Sequence, residues 1–404
     1  SLKIIHLPES LTLLEEYSFM NCSQLEEVII GESIEMIQSQ VFNNIHKEAI
    51  VVYTGIHQPT QCTTDIFDKE RIVDICKEID IDGVVATTEL TISITAYVAD
   101  KLNLLGNPVK IAEVITNKYR NREAIQNLKD LLSPKYIEVT RIEEIENSNI
   151  TYPIILKPIN FGGKRGITVV NNSSELSQGF DYALKSFPSN IKPRIIVEEY
   201  LAGGIECSVE SISFKGKHYI VQITQKDSGG APHCVELGHH QPASISTELW
   251  NKVENGVTSG LTAIGLTNGP CHTEIKIIND KVYLIEFNAR PGGDHISWPM
   301  VELSTGFDFI AAIILASVGE LKPIDRSTFK HNYSGLYYVV KQTTYLKNIF
   351  DTCENEEWCW ERNLVTDEMV ELVKNDMEHT NYIIYSSETG DPIAKLLEKD
   401  DKNI

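Results

Sequence analysis

The sequence predicts a mixed α/β and α+β protein. A doubly wound parallel sheet opens the chain (residues 1–116), a compact α+β unit follows (117–200), a larger domain on an antiparallel sheet comes next (201–320), and a small α+β appendage closes it (321–404). Three observations carry this. Strand-like and helix-like runs alternate in the first stretch, the pattern of a parallel sheet covered by helices. A glycine-rich loop, Asn160 to Gly166, separates two short apolar runs in the second. Paired apolar runs joined by turn residues mark hairpins in the third.

In the first stretch Leu2–Leu7, Glu27–Ile30 and Ile50–Tyr53 are of strand length, and Thr54-Gly55 ends the last. Lys69 to Ile79 has helical periodicity through Ile72, Val73, Ile75, Cys76 and Ile79. Val84-Val85-Ala86 has the pattern of a buried strand. A helix follows from about Glu89 to Leu102 and stops near Gly106-Asn107-Pro108. No Gly-x-Gly-x-x-Gly follows any of these strands, which argues against a dehydrogenase. In open sheets ligands bind beyond the carboxyl ends of strands. Glu89 is therefore a candidate substrate contact, and it reads equally well as a first-turn glutamate favoured by the helix dipole. No internal repeat is expected anywhere in the chain.

In the second stretch Lys118, Arg120 and Arg122 open a helix expected to reach about Leu132, where Ser133-Pro134 breaks it. Tyr152 to Pro158 is a short strand with Lys157 near its end, and Ile167 to Val170 is another. The loop between them can turn its backbone N–H groups towards phosphate oxygens, although glycine-rich hairpin loops are common. Arg194–Val197 is a strand. Glu198-Glu199-Tyr200-Leu201 and Gly203-Gly204 follow it as a hinge, where backbone groups can meet an adenine edge and Glu206 can accept from ribose hydroxyls. Taken alone, the segment is a strand followed by a turn.

The third stretch holds a hairpin from Cys207–Phe214 to His218–Thr224, a polar loop Glu236 to Pro242, and a helix from Glu248 to Ile264. Glu236 and His239 stand three apart, so both can line one pocket; His239 reads equally as a satisfied structural histidine. The segment His272–Gly293 matters most. Ile275, Ile277 and Ile278 form one arm, Val282, Leu284, Ile285 and Phe287 the other, with Asn279-Asp280 at the turn. A two-residue loop pairs Ile278 with Lys281 and sends Glu274 and Glu286 to opposite faces. A three-residue loop pairs Ile278 with Val282 and sets the two glutamates opposite each other, roughly 5 Å apart at Cβ. Asn288 and Arg290 then share their face. Two carboxylates and an amide oxygen converging are hard ligands suited to Mg²⁺. The competing reading is a solvated strand face whose acids pair with Lys276 and Lys281. Beyond it a helix is expected from about Met300 to Val318, then strands at Tyr333–Lys341 and Tyr382–Ser386 and a short helix at Thr366–Asp376.

The formal net charge of −21 argues against a nucleic-acid partner. No apolar run approaches the roughly 20 residues that span a bilayer, so no membrane partner is expected. The eight cysteines are scattered, with Cys353 and Cys359 nearest each other and no Cys-x-x-Cys pair. The opening residues lack the features of a signal peptide. Together these suggest a cytoplasmic protein with reduced thiols.

Set in order, these residues resemble the ATP-grasp carboxylate–amine ligases over roughly residues 80–320. The elements are Lys118, Leu156-Lys157-Pro158, Gly162 to Gly166, Glu198 to Leu201, Glu206, Glu274, and Glu286-Phe287-Asn288-Ala289-Arg290-Pro291-Gly292-Gly293. Each element is weak alone; the ordered set is specific. Glu236-Leu237-Gly238-His239 and His272 to Lys276 are most similar to the L-amino-acid ligases that make dipeptides, including the alanine–anticapsin ligase type. Lys164-Arg165 depart from that pattern, where small serines are frequent.

The resemblance implies an ATP-grasp fold, with ATP between the lid and the larger domain. It implies that Lys118 and Lys157 hold the phosphates under the loop of Gly162 and Gly163. Glu198, Glu199, Tyr200 and Leu201 would bind adenine and Glu206 the ribose. Glu274, Glu286 and Asn288 would ligate Mg²⁺, with two ions expected and Mn²⁺ as a substitute. Arg290 would flank the reacting carboxylate, Glu236 and His239 would line the amino-acid pocket, and Gly292 and Gly293 would approach the acyl group. The expected partners are small-molecule carboxylate and amine substrates and a second copy in a homodimer. Two alternatives are carried: ATP-grasp chemistry on bicarbonate or a purine-pathway carboxylate, and a nucleotide-binding regulator without turnover.

Overall fold

The computed structural model describes residues 68–401 except 161–164, 188–191, 232–233 and 372–379. Before residue 68 it describes 4–7, 13–14, 19, 27–30, 36–37 and 50–53. The chain divides into two compact units, Ser1–Ile81 and Asp82–Ile404. The boundary falls inside the stretch expected to form one opening domain.

The first unit contains strands β1 (Ile4–His6), β2 (Leu13–Leu14), β3 (Glu27–Ile30), β4 (Met36–Ile37) and β5 (Ile50–Tyr53), then helix α1 (Lys69–Glu78). β1, β3 and β5 lie parallel in that order, and β2 pairs with β4. The register repeats: Ile5 faces Val28, Val28 faces Val51 and Leu13 faces Met36, each 23 residues apart. That is a stacked repeat in which each coil pairs with the next. It corrects two expectations, since this sheet is not doubly wound and a repeat is present. Among the described residues α1 is the one helix of this unit.

The second unit begins with α2 (Ile92–Leu102), α3 (Val109–Ile115) and α4 (Lys118–Ile125). Val84–Ala86, expected as a strand, is irregular. Helix α4 starts where expected and ends about two turns earlier; Asn117 caps it, accepting from the Arg120 N–H at 3.1 Å. A four-stranded antiparallel sheet follows. It comprises β6 (Tyr136–Val139), β7 (Ile154–Pro158), β8 (Thr168–Val170) and β9 (Ile195–Glu199), in the order β6-β9-β7-β8. Helix α6 (Leu176–Leu184), preceded by the short α5 (Glu143–Glu146), buries Leu176, Phe180 and Ala183 against Ile154, Leu156 and Val170. This is the expected α+β lid.

The larger sheet has eight antiparallel strands. Five are β10 (Ile205–Phe214), β11 (Lys217–Ser228), β12 (Glu236–Gln241), β13 (Gly269–Ile278) and β14 (Lys281–Asn288). Helix α7 (Thr247–Ala263) covers one face. It buries Leu249, Val253, Val257 and Leu261 at helical spacing. Gly260 permits its close approach, because a Cβ there would lie 2.6 Å from Leu131 and 2.7 Å from Phe287. Each large apolar side chain fully buried in this layer contributes roughly 1.5–3 kcal/mol.

The helix expected over Met300–Val318 is two, α8 (Val301–Thr305) and α9 (Phe309–Ser317), because Gly306 adopts a left-handed φ of 67° between them. The C-terminal residues do not form a separate appendage. Strands β15 (Tyr333–Val339), β16 (Cys359–Asn363) and β17 (Asn381–Ser387) extend the large sheet in the order β14-β13-β10-β11-β12-β15-β17-β16. Residues 366–371 of the expected short helix are irregular, and 372–379 lie outside the described residues. No single helix among the described residues is long and apolar enough to cross a membrane.

Candidate active site

The β13–β14 hairpin sets the geometry of the site. Its turn has two residues, Asn279 and Asp280, with φ of 49° and 58°, and Ile278 pairs with Lys281. That is the loop expected to send the two glutamates to opposite faces. The pairing shifts between Glu274 and Ile275, however: Ile275 faces Leu284 and Glu274 faces Glu286. Ile285 is the extra residue of a β-bulge, and the bulge restores the alternation that the short turn would have lost. The expected pairing of Glu274 with Glu286 therefore holds, and the expected three-residue turn does not.

The bulge is held from the side. The Ile285 carbonyl accepts from Arg122 Nη2 at 2.7 Å, and Leu132 exchanges 2.8 Å backbone bonds with Val282 and Leu284. The Phe287 N–H donates to Asn121 Oδ1 at 3.1 Å. Helix α4 and the segment after it thus fix both the register of β14 and the position of Lys118.

Lys118 Nζ lies 2.7 Å from Glu286 Oε2, and Asn288 Nδ2 donates to Glu286 Oε1 at 3.0 Å. Burial pushes the Glu286 carboxyl up, but the Lys118 ammonium outweighs it and holds the group below the usual range. Across the hairpin, Lys226 Nζ donates to Glu274 Oε1 at 2.8 Å and to Glu236 Oε1 at 2.7 Å. Behind Glu274, His272 Nε2 stands 3.5 Å away, and His272 Nδ1 meets Glu210 Oε1 at 2.5 Å. Burial would discharge His272, but Glu210 overrides it and lifts its pKa to about 9. Glu210 also accepts from the Gly292 N–H at 3.0 Å and Ser297 Oγ at 2.8 Å. A Cβ at Gly292 would lie 2.7 Å from His272 Nδ1, so any larger residue there would have to push the His272–Glu210 pair aside.

At the lid end Glu198 is buried. Its carboxylate accepts from Arg122 Nε at 2.6 Å and Lys157 Nζ at 2.7 Å. Burial alone would raise its pKa; the two cations lower it to about 2. Its backbone pairs with Tyr136 on one side and Ile155 on the other, so its side chain serves the two cations. Glu206 stands 3.7 Å from Lys276 Nζ, which lies over the Tyr200 ring. Arg290 Nη2 donates to Glu89 Oε1 at 2.8 Å, so the glutamate ahead of α2 reaches the site.

One cavity gathers most of these side chains. Glu89, Lys118, Lys157, Glu198, Glu199, Tyr200, Leu201, Glu206, Glu236, Glu274, Glu286, Arg290 and Gly293 line it. His239, Asn288 and Gly292 sit behind its wall: His239 against Glu236 and Asp294, Asn288 against Glu286, Gly292 against Glu210. Gly162 and Gly163 lie outside the described residues. Sequence reasoning assigned no role to Glu210, Arg122, Lys226, His272 or Asp294. A signal existed for some of them: Glu206, Ser208 and Glu210 alternate with the buried apolar residues Cys207 and Val209 along β10, which marks a polar face turned inward.

The donor set suits a hard divalent cation. Glu274 and Glu286 bring carboxylate oxygens to adjacent positions, and Asn288 spends its amide N–H on Glu286, which leaves its carbonyl oxygen available.

Residues 150–298 match the ATP-grasp domain family, and residues 1–69 match the BspA type leucine rich repeat region, in accord with the 23-residue register. The chain is 27% identical over 255 residues to alanine–anticapsin ligase of Bacillus subtilis (strain 168), covering 57% of this chain and 52% of that protein. It is 24% identical over 269 residues to formate-dependent phosphoribosylglycinamide formyltransferase of Prochlorococcus marinus (strain MIT 9303), covering 63% and 59%. The chain thus spans about half the length of the curated relatives it matches. Among solved structures, L-amino acid ligase from Bacillus licheniformis superposes with a TM-score of 0.70 at 20% identity, over 99% of this chain and 97% of that one. Phosphoribosylglycinamide synthetase from Anaerococcus prevotii gives 0.59 at 17%, over 98% and 97%.

Proposed function

We propose, starting from a chain that carries an ATP-grasp domain and has the ATP-grasp fold, that it is an ATP-dependent ligase joining a carboxylate to an amine. The observation that carries this reading is the cross-strand pair Glu274 and Glu286, ringed by Lys118, Lys157 and Arg290 in one cavity. A carboxylate acylates poorly because oxide is a bad leaving group. Transfer of the γ-phosphoryl group to it gives an acyl phosphate that an amine attacks, releasing phosphate and leaving an amide.

Both partners in the first step are anions. Lys118 and Lys157 reach the phosphates, and Arg290, oriented by Glu89, receives the carboxylate. Glu274, Glu286 and Asn288 would hold Mg²⁺, which would supply the remaining positive charge. Fixed groups of this kind are each worth roughly 10²–10³ in rate. Glu199, Tyr200 and Leu201 line the adenine end with Glu206 at the ribose, and Glu236 and His239 take the incoming amine, which must lose a proton. The lid excludes water from the acyl phosphate. Likeness to alanine–anticapsin ligase and to an L-amino acid ligase structure supports amino acids as the substrates.

The test is ADP and phosphate release from Mg²⁺-ATP across paired L-amino acids, with mass spectrometry of the product. Amino-acid-dependent release and a new mass equal to the pair minus water support the reading; release independent of any amine overturns it. A second reading, a purine-pathway or formate substrate, is favoured by the likeness to the formate-dependent formyltransferase. It predicts turnover with formate or bicarbonate and a phosphoribosyl amine instead.

A further inference from the structure

Cys353 and Cys359, the nearest cysteines in sequence, also meet in the fold. Their Sγ atoms lie 3.6 Å apart, the Cys359 S–H donating to Cys353. Two successive turns bring them together. The Glu356 N–H donates to the Cys353 carbonyl at 2.9 Å, and the Cys359 N–H donates to the Glu356 carbonyl at 2.9 Å. Cys353 is buried just after helix α10 (Lys347–Thr352). Cys359 is half-buried as the first residue of β16, the outer strand of the large sheet. Arg362 stands beside the pair: its guanidinium lies over the Phe350 ring, and its Nε donates to the Phe350 carbonyl at 2.6 Å. The Cys353 thiol points at that same carbonyl from 3.6 Å. The ligase chemistry uses neither thiol.

We infer that Cys353 and Cys359 form a redox-active dithiol that closes to an intrachain disulfide by exchange with a small-molecule disulfide. The inference is independent of the ligase reading. A disulfide sets its sulfurs about 2.05 Å apart, so the pair has about 1.5 Å left to close, within reach of a side-chain rotation. The two thiols take different parts. Cys359 is the one a reagent can reach, and it attacks. Its thiolate cleaves the S–S bond of the reagent, joins one half as a mixed disulfide and expels the other half as a thiolate. Cys353, already in contact, then attacks Cys359 Sγ, and the second half leaves. The two thiol protons end on the two expelled thiolates, and the two electrons given up by the dithiol reduce the reagent to two thiols. The local charges agree with that order. Burial, reinforced by Cys359, pushes the Cys353 thiol up to about 12. Burial also raises Cys359, but there the Cys353 S–H and Arg362 work against it. A thiol held as high as Cys353 is a poor leaving group, so the closed bond resists small monothiols. The bond would tie the first residue of β16 to the end of α10 and so hold the outer edge of the sheet.

The experiment treats the full chain with a small disulfide, stops the exchange with acid, alkylates the remaining thiols and digests with trypsin for mass spectrometry. The turn between the cysteines carries the exposed Glu354, Glu356 and Glu357, so the probe is uncharged hydroxyethyl disulfide. Trypsin releases both cysteines, and no other, in the fragment 348–362. In the native chain that fragment should escape alkylation and run two hydrogens lighter, and dithiothreitol should restore it. Closure should be favoured about ten-fold or more over the same chain unfolded in urea, because the fold holds the sulfurs together. Cys353→Ser should trap a mercaptoethanol adduct on Cys359, since no second thiol remains to expel it. Cys359→Ser should take up the adduct on Cys353 about ten-fold more slowly or worse. The native measurement needs no substitution, so a variant that fails to fold leaves the test standing. A native fragment that stays doubly alkylated, one that keeps the adduct, closure no more favoured than in urea, or two single variants of equal reactivity each overturns the inference.

Discussion

Replacing Glu198 by glutamine tests the electrostatic frame of the lid end of the cavity. The carboxylate is 1% exposed and holds Arg122 Nε at 2.6 Å and Lys157 Nζ at 2.7 Å. Glutamine keeps the volume and one acceptor oxygen. It removes the charge and turns an amide N–H group toward one of the two cations. Breaking a buried ion pair by removing one partner costs about 3–5 kcal/mol. The shifted acidity of the group gives a second figure. The group sits at about 2 against an ordinary 4.5, a gap of about 2.5 units, which corresponds to about 3 kcal/mol. Because the folded value lies below the unfolded one, that stability is fully present above pH 4.5 and is lost as pH falls through about 2. The assay is urea unfolding followed by fluorescence of the four tryptophans, all of which lie beyond residue 82. It would be run at neutral pH and again in acid. The variant should lose about 3–5 kcal/mol at neutral pH, and its stability should fall less steeply than the native chain's between pH 4.5 and 2. A variant within about 1 kcal/mol of native at neutral pH, with an unchanged acid limb, would refute the view that one glutamate neutralises both cations.

Three further outcomes are expected. Glu286→Gln should lower the ligation rate by roughly 10²–10³ or more with the unfolding midpoint little changed, and normal turnover would remove Glu286 from the metal site. Lys157→Ala should chiefly weaken nucleotide binding, read by calorimetry with an ATP analogue; it also leaves Glu198 to Arg122 alone, so a modest fall in melting temperature should accompany it. Gly292→Ala forces a Cβ to 2.7 Å from His272 Nδ1 and 2.8 Å from Glu210 Oε1, so it should destabilise by about 1–3 kcal/mol and impair catalysis; a variant that melts with the native chain would show that this turn yields easily.

Much of the site was legible because its side chains follow one another in a fixed order along strands, and period-2 alternation says which of them share a face. Glu274, Glu286, Asn288 and Arg290 were read this way. What alternation could not show was how the register is reached. The bulge at Ile285 depends on Arg122 and Leu132, more than 150 residues earlier in the chain, and nothing local to the hairpin announces it. Arg122, Lys226 and Glu210 were passed over for a related reason: a charged residue inside an element reads as solvated unless its distant partner is known. The N-terminal repeat was missed differently. Leu2 and Leu25, Leu7 and Ile30, Phe19 and Phe42, and Asn21 and Asn44 recur at the same 23-residue interval as the paired strands. A search for alternating helix and strand does not look for that interval, whereas a search for self-similarity does. The C-terminal strands were recognised as strands, but their joining the main sheet rests on β12 pairing with β15, about 100 residues apart.

The hairpin also obeys a parity rule. Between Glu274 and Glu286 one surplus residue is needed to bring the two carboxylates to the same face, and the chain places it in the strand at Ile285 while keeping the turn at two residues. The same parity would result from a three-residue turn and an unbroken strand. Length changes in this hairpin are therefore coupled: losing Ile285 or gaining one turn residue would each swing Glu286 to the opposite face, whereas making both changes would return it. A strand defect and a loop insertion, unlike in form and about five residues apart, are interchangeable where the placing of two negative charges is concerned.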